Sequence, residues 1–363
     1  MLTLPEITVK DMWQSLKEET RPIVIYGMGN GADKLIARLE SLGIKFADIF
    51  ASDGFVRGHS FHGIRVKSFS EIKELYPDFV ILLSFATRLS EVIDLLCDMN
   101  EKYDLYVPDM PVSEAEIFFD SAFYSEHYKE IEEALERLED KDSKNLYISL
   151  IRYKLSGRIF DLLAFTSTKE EMYSLISTKK INTYCDVGAY NGDTLKEALS
   201  FFSDLKSAVC IEPDPKTFKR LERFAATVEN SDVECINAAA WSETCDGELS
   251  SSRNRNTSVK DASTASYEHK SETVSLITVD SLRRDFDYLK YDVEGAEREA
   301  LWGSDKTICK SRPVLLVSLY HKSRDIFELI NLLYKRYEGY RFYLKRLKCL
   351  PAWEINLIMI PAT

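Results

Sequence analysis

The chain lacks a basic surplus, paired cysteines and a long apolar run, and each absence excludes a class of protein. Its 363 residues include 47 Lys and Arg against 59 Asp and Glu, a formal net charge of −12, which argues against a general nucleic-acid binder. The seven cysteines contain no CxxC pair, so neither a disulfide framework nor a cysteine zinc site is expected. Apolar runs such as 79–83 are far too short to span a bilayer, and the N-terminus has no signal-peptide pattern. The sequence therefore predicts a cytoplasmic protein with no membrane span and no nucleic-acid partner.

Strand-like and helical patterns alternate in two segments of the chain, which is typical of parallel α/β sheets. Residues 1–110 form the first predicted domain, and residues 179–363 form the second. Between them, residues 111–178 carry apolar stripes on a charged background and predict a helical connector, which either packs on its own chain or joins two copies in a homo-oligomer. The second domain has five strand-like runs, of which the third is VECINAAAW, and ends in a predicted hairpin around Pro351.

The most informative motif is YCDVGAYNGDT at 184–194, where a strand runs into a glycine turn and then into a helix. Small residues allow backbone amides to approach a ligand, and a helix N-terminus favours a carboxylate or phosphate. Asp186 at the strand end can accept hydrogen bonds from an ammonium group. The motif therefore suits an amino-acid headgroup, with a plain turn as the alternative.

Acidic residues follow two later strands. Glu212 in IEPDP lies about 20 residues after the glycine turn, the interval at which an acid binds ribose hydroxyls. Its alternative is a solvated turn residue. Asp292, Glu294 and Glu297 in LKYDVEGAEREAL suggest ligand, metal or base chemistry, or simply a favoured helix N-terminus. Because no full set of ligands can be counted, no metal is predicted.

The motifs DVGAYNGDT, IEPDP, TVDSL, LKYDVEGAE and SLYHK occur in the same order as in the FkbM family of S-adenosylmethionine-dependent methyltransferases, which residues 182–325 and the final hairpin resemble. The resemblance implies the class I methyltransferase fold, a seven-stranded Rossmann-like sheet with a C-terminal antiparallel hairpin. It also implies S-adenosylmethionine as the cofactor and O-methylation of a sugar, polyketide or similar hydroxyl.

The resemblance also assigns residues to roles. Asp186, Gly188, Ala189, Asn191 and Gly192 match the loop for the methionine end of the cofactor. Glu212 matches the ribose-binding acid, and Asp292 matches the acid that lines the methyl-transfer site. No acid follows the third strand, so Ala240 or the ring of Trp241 is the candidate for adenine contact. The candidates for a general base are Asp292, Glu294 and His321.

The first domain carries a second glycine motif, GMGNGA, with Gly27, Gly29 and Gly31, and either Asp48 or Asp53 follows at the dinucleotide-binding interval. This segment resembles the small Rossmann-like domains attached to bacterial sugar-modifying acyltransferases. That resemblance implies a nucleotide-sugar site or a fold retained for packing or docking.

Three functions follow from these motifs. The first is methyl transfer from S-adenosylmethionine to a hydroxyl of a small molecule or glycan precursor, with the polar stretch 248–272 as a loop that closes over the acceptor. The second is a nicotinamide-dependent oxidoreductase acting through the first domain. The third is a non-catalytic binding or scaffold protein.

Overall fold

The computed structural model describes residues 3–56, 58–113, 117–251, 257–260 and 271–362, without the side chains of 246–251, 257–260 and 271–272. The chain divides into two compact units. The first unit comprises Met1–Glu136, Asp140–Ser167 and Arg346–Glu354, and the second comprises Arg137–Glu139, Thr168–Lys345 and Ile355–Thr363. Residues 140–167 of the predicted connector lie in the first unit, and the three-part division of the chain stays a prediction. No helix in the described ranges combines the length and apolar content that a bilayer crossing requires.

The first unit is built on a parallel sheet with strand order β5-β2-β1-β6-β7. Its strands, with the small hairpin β3–β4, are β1 (Ile23–Tyr26), β2 (Asp48–Ala51), β3 (Ser60–Phe61), β4 (Ile64–Arg65), β5 (Lys67–Ser68), β6 (Val80–Leu83) and β7 (Asp104–Tyr106). Every residue of β1, β2 and β6 is buried, as expected for parallel strands covered on both faces.

The helices up to residue 163 are α1 (Met12–Lys17), α2 (Asn30–Ser41), α3 (Phe69–Leu75), α4 (Ser90–Asn100), α5 (Ser121–Glu126), α6 (Tyr128–Arg137), α7 (Lys141–Ser156) and α8 (Ile159–Leu163). Apolar residues line one face of α2, and Leu35 and Leu39 there are fully buried. The α7 helix ends at Gly157, whose φ of 64° is the left-handed conformation typical of a helix C-terminus.

The second unit contains a seven-stranded sheet with strand order β10-β9-β8-β15-β16-β18-β17. Strands β10, β9, β8, β15 and β16 run parallel, and β18 pairs antiparallel with β16. Their bounds are β8 (Thr183–Val187), β9 (Ser207–Ile211), β10 (Asp232–Ile236), β15 (Tyr288–Tyr291), β16 (Val314–Ser318), β17 (Tyr340–Arg346) and β18 (Ile355–Pro361). The predicted fold class, with its terminal hairpin, is confirmed.

Helices cover this sheet: α9 (Lys169–Ile176), α10 (Asp193–Phe201), α11 (Pro215–Ala225), α12 (Glu297–Trp302), α13 (Asp305–Ser311) and α14 (Asp325–Arg336). The IEPDP motif ends β9 and starts α11, because Asp214 caps the helix by accepting from the Thr217 amide and Pro215 occupies its first turn. The rings of Tyr184 and Tyr288 stack at 4.8 Å between centroids in the core beneath β8 and β15.

A further four-stranded sheet, in the order β11-β14-β12-β13, corrects two sequence predictions. Its strands are β11 (Ala239–Ala240), β12 (Cys245–Ser251), β13 (Thr257–Lys260) and β14 (Ser271–Ile277). The prediction of one loop over 248–272 is wrong, because β12 pairs antiparallel with β13 and β14 through backbone hydrogen bonds that need no apolar side chains. Residues 252–256 and 261–270 lie outside the described residues. VECINAAAW is two strands, since β10 ends at Ile236 and β11 joins the other sheet.

Candidate active site

The glycine turn after β8 packs against the end of the neighbouring strand β15. Gly188 has a φ of 90°, and a Cβ on it would lie 2.0 Å from the carbonyl oxygen of Asp292. Only glycine therefore fits at this position. The amides of Gly188 and Ala189 both donate to the carbonyl of Ile211 on β9 at 3.0 Å. The turn is thus fixed between the carboxyl ends of β9 and β15. Gly192, with a φ of 89°, then caps α10.

Asp186 is fully buried one residue before the end of β8. Its carboxylate accepts from Thr194 Oγ1 at 2.5 Å and from Lys290 Nζ at 3.2 Å. Burial raises the pKa of Asp186, although Lys290 and Thr194 stabilise the charged form. The carboxylate therefore ties the start of α10 to β15, and direct contact with a ligand's ammonium group stays a prediction.

Glu212 follows β9 and is 7% exposed. Its carboxylate accepts from the amide of Tyr190 in the glycine turn at 2.9 Å and from the amide of Asp214 at 2.9 Å. Burial raises the pKa of Glu212 to about 7, and the two amide hydrogen bonds only partly counter it. Sequence and structure thus place an acid directly beside the glycine turn.

Asp292 follows β15 and is partly exposed. Tyr320 donates its hydroxyl hydrogen to Asp292 Oδ1 at 2.8 Å, and Lys290 Nζ lies 3.7 Å from Oδ2. Burial alone would raise the pKa of Asp292, but the positive charges of Lys290 and His321 lower it below its ordinary value. The carboxylate is therefore held in its charged form.

His321 is fully buried between carboxylates. Its Nδ1 lies 2.8 Å from Glu297 Oε1, while its Nε2 lies 3.5 Å from Asp292 Oδ1 and 3.6 Å from Glu294 Oε2. Burial alone would lower the pKa of His321, but the carboxylates of Glu297, Asp292 and Glu294 raise it to about 10.

Asp292, Glu297 and His321 each offer a ligand atom within 4.8 Å of the others, which is compatible with a metal ion by distance. However, Glu297 and Asp292 approach opposite nitrogens of the ring. The imidazole therefore has a carboxylate on each side, an arrangement that suits a proton on each ring nitrogen as well as a cation at one of them.

The residues of the predicted adenine contact lie in or directly after β11, a strand of the smaller sheet. Ala240 is buried in β11, which pairs with β14. Trp241 packs partly buried against Ala239 and Leu276, and its carbonyl would lie 1.9 Å from a Cβ on Gly303. Asn237 donates to the backbone carbonyls of Glu212 and Pro213 at 2.8 and 3.0 Å. The roles of Ala240 and Asn191 in cofactor binding stay predictions.

Lys290 and the contacts of Tyr320 and Glu297 were not predicted from the sequence. A signal for Lys290 was available, because residues two apart in a strand share a face and Lys290 precedes Asp292 by two. A lysine in a strand whose residues are otherwise apolar needs a buried charged partner. Nothing in the local sequence identifies that partner as Asp186, 104 residues earlier.

The glycine turn of the first unit has a different acidic environment. Gly27 and Gly29 have φ values of 115° and 98°, and a Cβ on Gly31 would lie 2.1 Å from the carbonyl oxygen of Ser84. Asp48 lies at the amino end of β2, where Lys67 and the hydroxyl of Tyr76 donate to it. Asp53 follows the carboxyl end of β2, is exposed and accepts from Ser70. A nucleotide site at this turn stays a prediction.

Comparisons with known proteins agree with the architecture of the second unit. Residues 186–342 match the model of the methyltransferase FkbM domain. The chain is similar in fold to methyltransferase FkbM from Methylobacillus flagellatus KT, with a TM-score of 0.67 and 17% identity over 98% of this chain and 94% of that chain.

Two other solved structures match with lower scores. An rRNA methylase from Streptococcus thermophilus has a TM-score of 0.34 and 8% identity over 53% of this chain and 95% of its own. Precorrin-6y C5,15-methyltransferase from Geobacter metallireducens GS-15 has a TM-score of 0.33 and 13% identity over 55% of this chain and 93% of its own. The comparison with curated proteins gave no match. Residues 186–342 thus match the methyltransferase FkbM domain in sequence, and the second unit contains the seven-stranded sheet described above.

Proposed function

We propose that this protein transfers a methyl group from S-adenosylmethionine to a hydroxyl oxygen of a sugar, a glycan precursor or a similar small metabolite. The observation that carries the proposal is the contact between the glycine turn and the ribose-type acid, in which Tyr190 donates its amide hydrogen to Glu212 at 2.9 Å. The glycine turn, proposed for the methionine end, and Glu212, proposed for the ribose, therefore lie side by side. Both are at the carboxyl edge of one sheet, where ligands of open α/β sheets bind.

In this proposal the residues that follow β8 and β9, together with those of β11 and after it, would hold the cofactor. The turn at Gly188, Ala189, Asn191 and Gly192, beside Asp186, receives the amino-acid end, supported by the N-terminus of α10. Glu212 accepts hydrogen bonds from the ribose hydroxyls, which requires its ionised form. Ala240 and Trp241 are the candidates for the adenine side.

Methyl transfer needs little covalent chemistry from the protein. When bound, S-adenosylmethionine would supply an activated methyl group, which would pass to the acceptor oxygen as the carbon–sulfur bond breaks and would leave a neutral thioether. The hydroxyl proton passes to a carboxylate and then to water. Alignment of oxygen, carbon and sulfur supplies much of the acceleration, up to about 7–11 kcal/mol for a well-oriented pair.

We take Asp292 as the proton acceptor among the three candidates, because it directly follows β15 and is held there by the Tyr320 hydroxyl. Its side chain is 29% exposed and that of Glu294 is 36% exposed, whereas His321 is fully buried. The charged carboxylates and the Tyr320 hydroxyl can also bind several hydroxyls, which supports a polyhydroxylated acceptor. We further expect the first unit to bind a nucleotide sugar. We also expect the protein to form a homo-oligomer and to be located in the cytoplasm.

Titration calorimetry of the full chain with S-adenosylmethionine, S-adenosylhomocysteine and NAD tests the cofactor. We expect both adenosyl compounds to bind and NAD to give no heat. Binding of NAD alone would overturn the proposal in favour of an oxidoreductase. Mass spectrometry of sugar-nucleotide and glycan panels, incubated with enzyme and S-adenosylmethionine, then identifies an acceptor by the gain of one methyl group.

A further inference from the structure

A continuous series of alternating charges, all buried except the partly exposed Asp292, runs through the second unit. Asp186 contacts Lys290 at 3.2 Å, and Lys290 lies 3.7 Å from Asp292 Oδ2. The other oxygen of Asp292 lies 3.5 Å from His321 Nε2, and His321 Nδ1 lies 2.8 Å from Glu297 Oε1. The series joins the glycine turn, the end of β15 and the start of α12. Asp292 lies at the centre of the series, between the buried side chains of Lys290 and His321.

His321 has carboxylates at both ring nitrogens. Glu297 on α12 faces Nδ1, while Asp292 and Glu294 after β15 face Nε2. Asp325 at the start of α14 and Lys322 add further charges nearby, and Asp325 accepts from the Lys322 amide. Glu297 is itself 1% exposed and accepts from the backbone amides of Val293 and Gly295, which fixes its position.

This arrangement decides which form of the imidazole is favoured. A neutral imidazole donates from one nitrogen and presents a lone pair at the other. Here that lone pair would face either Glu297 or the pair Asp292 and Glu294, in a buried site where like charges and lone pairs repel strongly. An imidazolium donates toward both sides and avoids this repulsion.

We propose that His321 is a permanent buried imidazolium that, together with Lys290, holds Asp292 ionised and in position, and that His321 does not remove the acceptor's proton. Lys290 and Glu297 are then positioning residues, which act through Asp292 and His321 respectively. The assignment of Asp292 as the acceptor-side acid rests on the proposed function, whereas the charge state of His321 is independent of it.

The charge state can be measured directly by NMR, because the chain contains only 5 histidines. With ¹⁵N-labelled histidine in the full chain, the His321 signals are assigned by their loss in His321→Gln. We expect both ring nitrogens to carry hydrogens from pH 6 to pH 9. A neutral His321 at pH 7.5 in a folded sample would overturn the proposal.

Two variants distinguish an effect of Glu297 on the charge of His321 from an effect on the stability of the fold. In Glu297→Gln the imidazolium loses its closest carboxylate, so the midpoint of the His321 titration should fall by more than one pH unit. Glu299→Gln, in the same helix turn but outside the series, should leave the midpoint unchanged. An unchanged midpoint in a folded Glu297→Gln sample would contradict the assigned role of Glu297, and circular dichroism checks folding of both variants.

Addition of Mn²⁺ alone tests whether His321 binds a metal ion instead of carrying a hydrogen on both ring nitrogens. If Mn²⁺ broadens the His321 signals at micromolar concentration and displaces a ring hydrogen, a metal site replaces the imidazolium and the proposal fails. If Mn²⁺ leaves the signals unchanged, the proposal is supported. Calorimetry with S-adenosylmethionine on the same samples reports separately on the proposed function, so absence of cofactor binding with a charged His321 would reject only the methyl-transfer proposal.

Discussion

The two units carry similar glycine turns, yet the acids around them differ. In both units a glycine is required by a neighbouring carbonyl, since a Cβ would lie 2.1 Å from Ser84 O at Gly31 and 2.0 Å from Asp292 O at Gly188. In the second unit, buried Glu212 bonds the turn directly. In the first unit, Asp48 is at the wrong end of its strand and exposed Asp53 bonds Ser70. The glycines of both turns therefore indicate close packing of the chain, and the position of the nearby acid is what differs between the two turns.

The largest expected effect comes from Gly188→Ala. Its Cβ would collide with Asp292 O, and its φ of 90° disfavours alanine. Overpacking and backbone strain each cost about 1–3 kcal/mol, and relief of the collision displaces the turn that is proposed to hold the cofactor, so binding of S-adenosylmethionine should weaken by at least ~30-fold in calorimetry.

The matched control is Gly31→Ala in the first unit, where the collision is similar but no cofactor is proposed. We expect it to lower the melting temperature while changing cofactor affinity less than about two-fold. An equal loss of cofactor affinity in the two variants would contradict the proposal that only the turn of the second unit binds the cofactor.

Glu212→Gln removes the charge that the proposed contact with the ribose hydroxyls requires, while it keeps the shape of the side chain. Hydrogen bonds to charged groups contribute about 1.5–3 kcal/mol, so the affinity should fall by roughly 10- to 100-fold. Asp53→Asn is the equivalent change in the first unit and should have no effect. A reversed pattern, with Asp53→Asn harmful and Glu212→Gln neutral, would move the cofactor site to the first unit.

The stability of the folded chain should depend on pH through Glu212. Its pKa is raised to about 7 in the folded chain, so between its ordinary value of 4.5 and about 7 the folded chain holds a proton that the unfolded chain releases. Its contribution to stability is thus present below pH 4.5 and lost as the pH rises through about 7.

Cofactor affinity should follow the opposite direction, because in the proposed site the ionised carboxylate accepts hydrogen bonds from the ribose. We expect the dissociation constant to decrease about ten-fold from pH 6 to pH 8. In Glu212→Gln this pH dependence should disappear. Its persistence there would assign the titration to another group.

The smallest expected effect comes from Thr194→Val, which removes the hydroxyl that donates to Asp186 at 2.5 Å. Loss of one buried hydrogen bond should cost about 1–3 kcal/mol of unfolding free energy, measured by urea denaturation. Cofactor affinity should change only a few-fold, because Lys290 still bonds Asp186. A complete loss of binding would indicate that Thr194 contacts the cofactor itself.

The sequence predicted much of the fold because its strands are local patterns. The runs at β8, β9, β15 and β16 are short, apolar and bounded by glycine, proline or acidic residues, which identifies them without distant information. The same approach failed for 248–272, where β12 and β13 consist largely of polar residues. Pairing of such strands depends on backbone hydrogen bonds with distant partners, and composition does not reveal it.

By itself, the sequence determined the alternation of strands and helices, the glycine turn and the acids that end the strands, because each depends on residues close in the chain. Only the tertiary structure decided how those acids are charged and held. Lys290 and Asp186 are 104 residues apart, yet their side chains meet at 3.2 Å in the buried sheet. His321, which follows β16, likewise lies 2.8 Å from Glu297 at the start of α12. Charge state depends on burial and on the nearest opposite charge, and both are set by which strands and helices pack together.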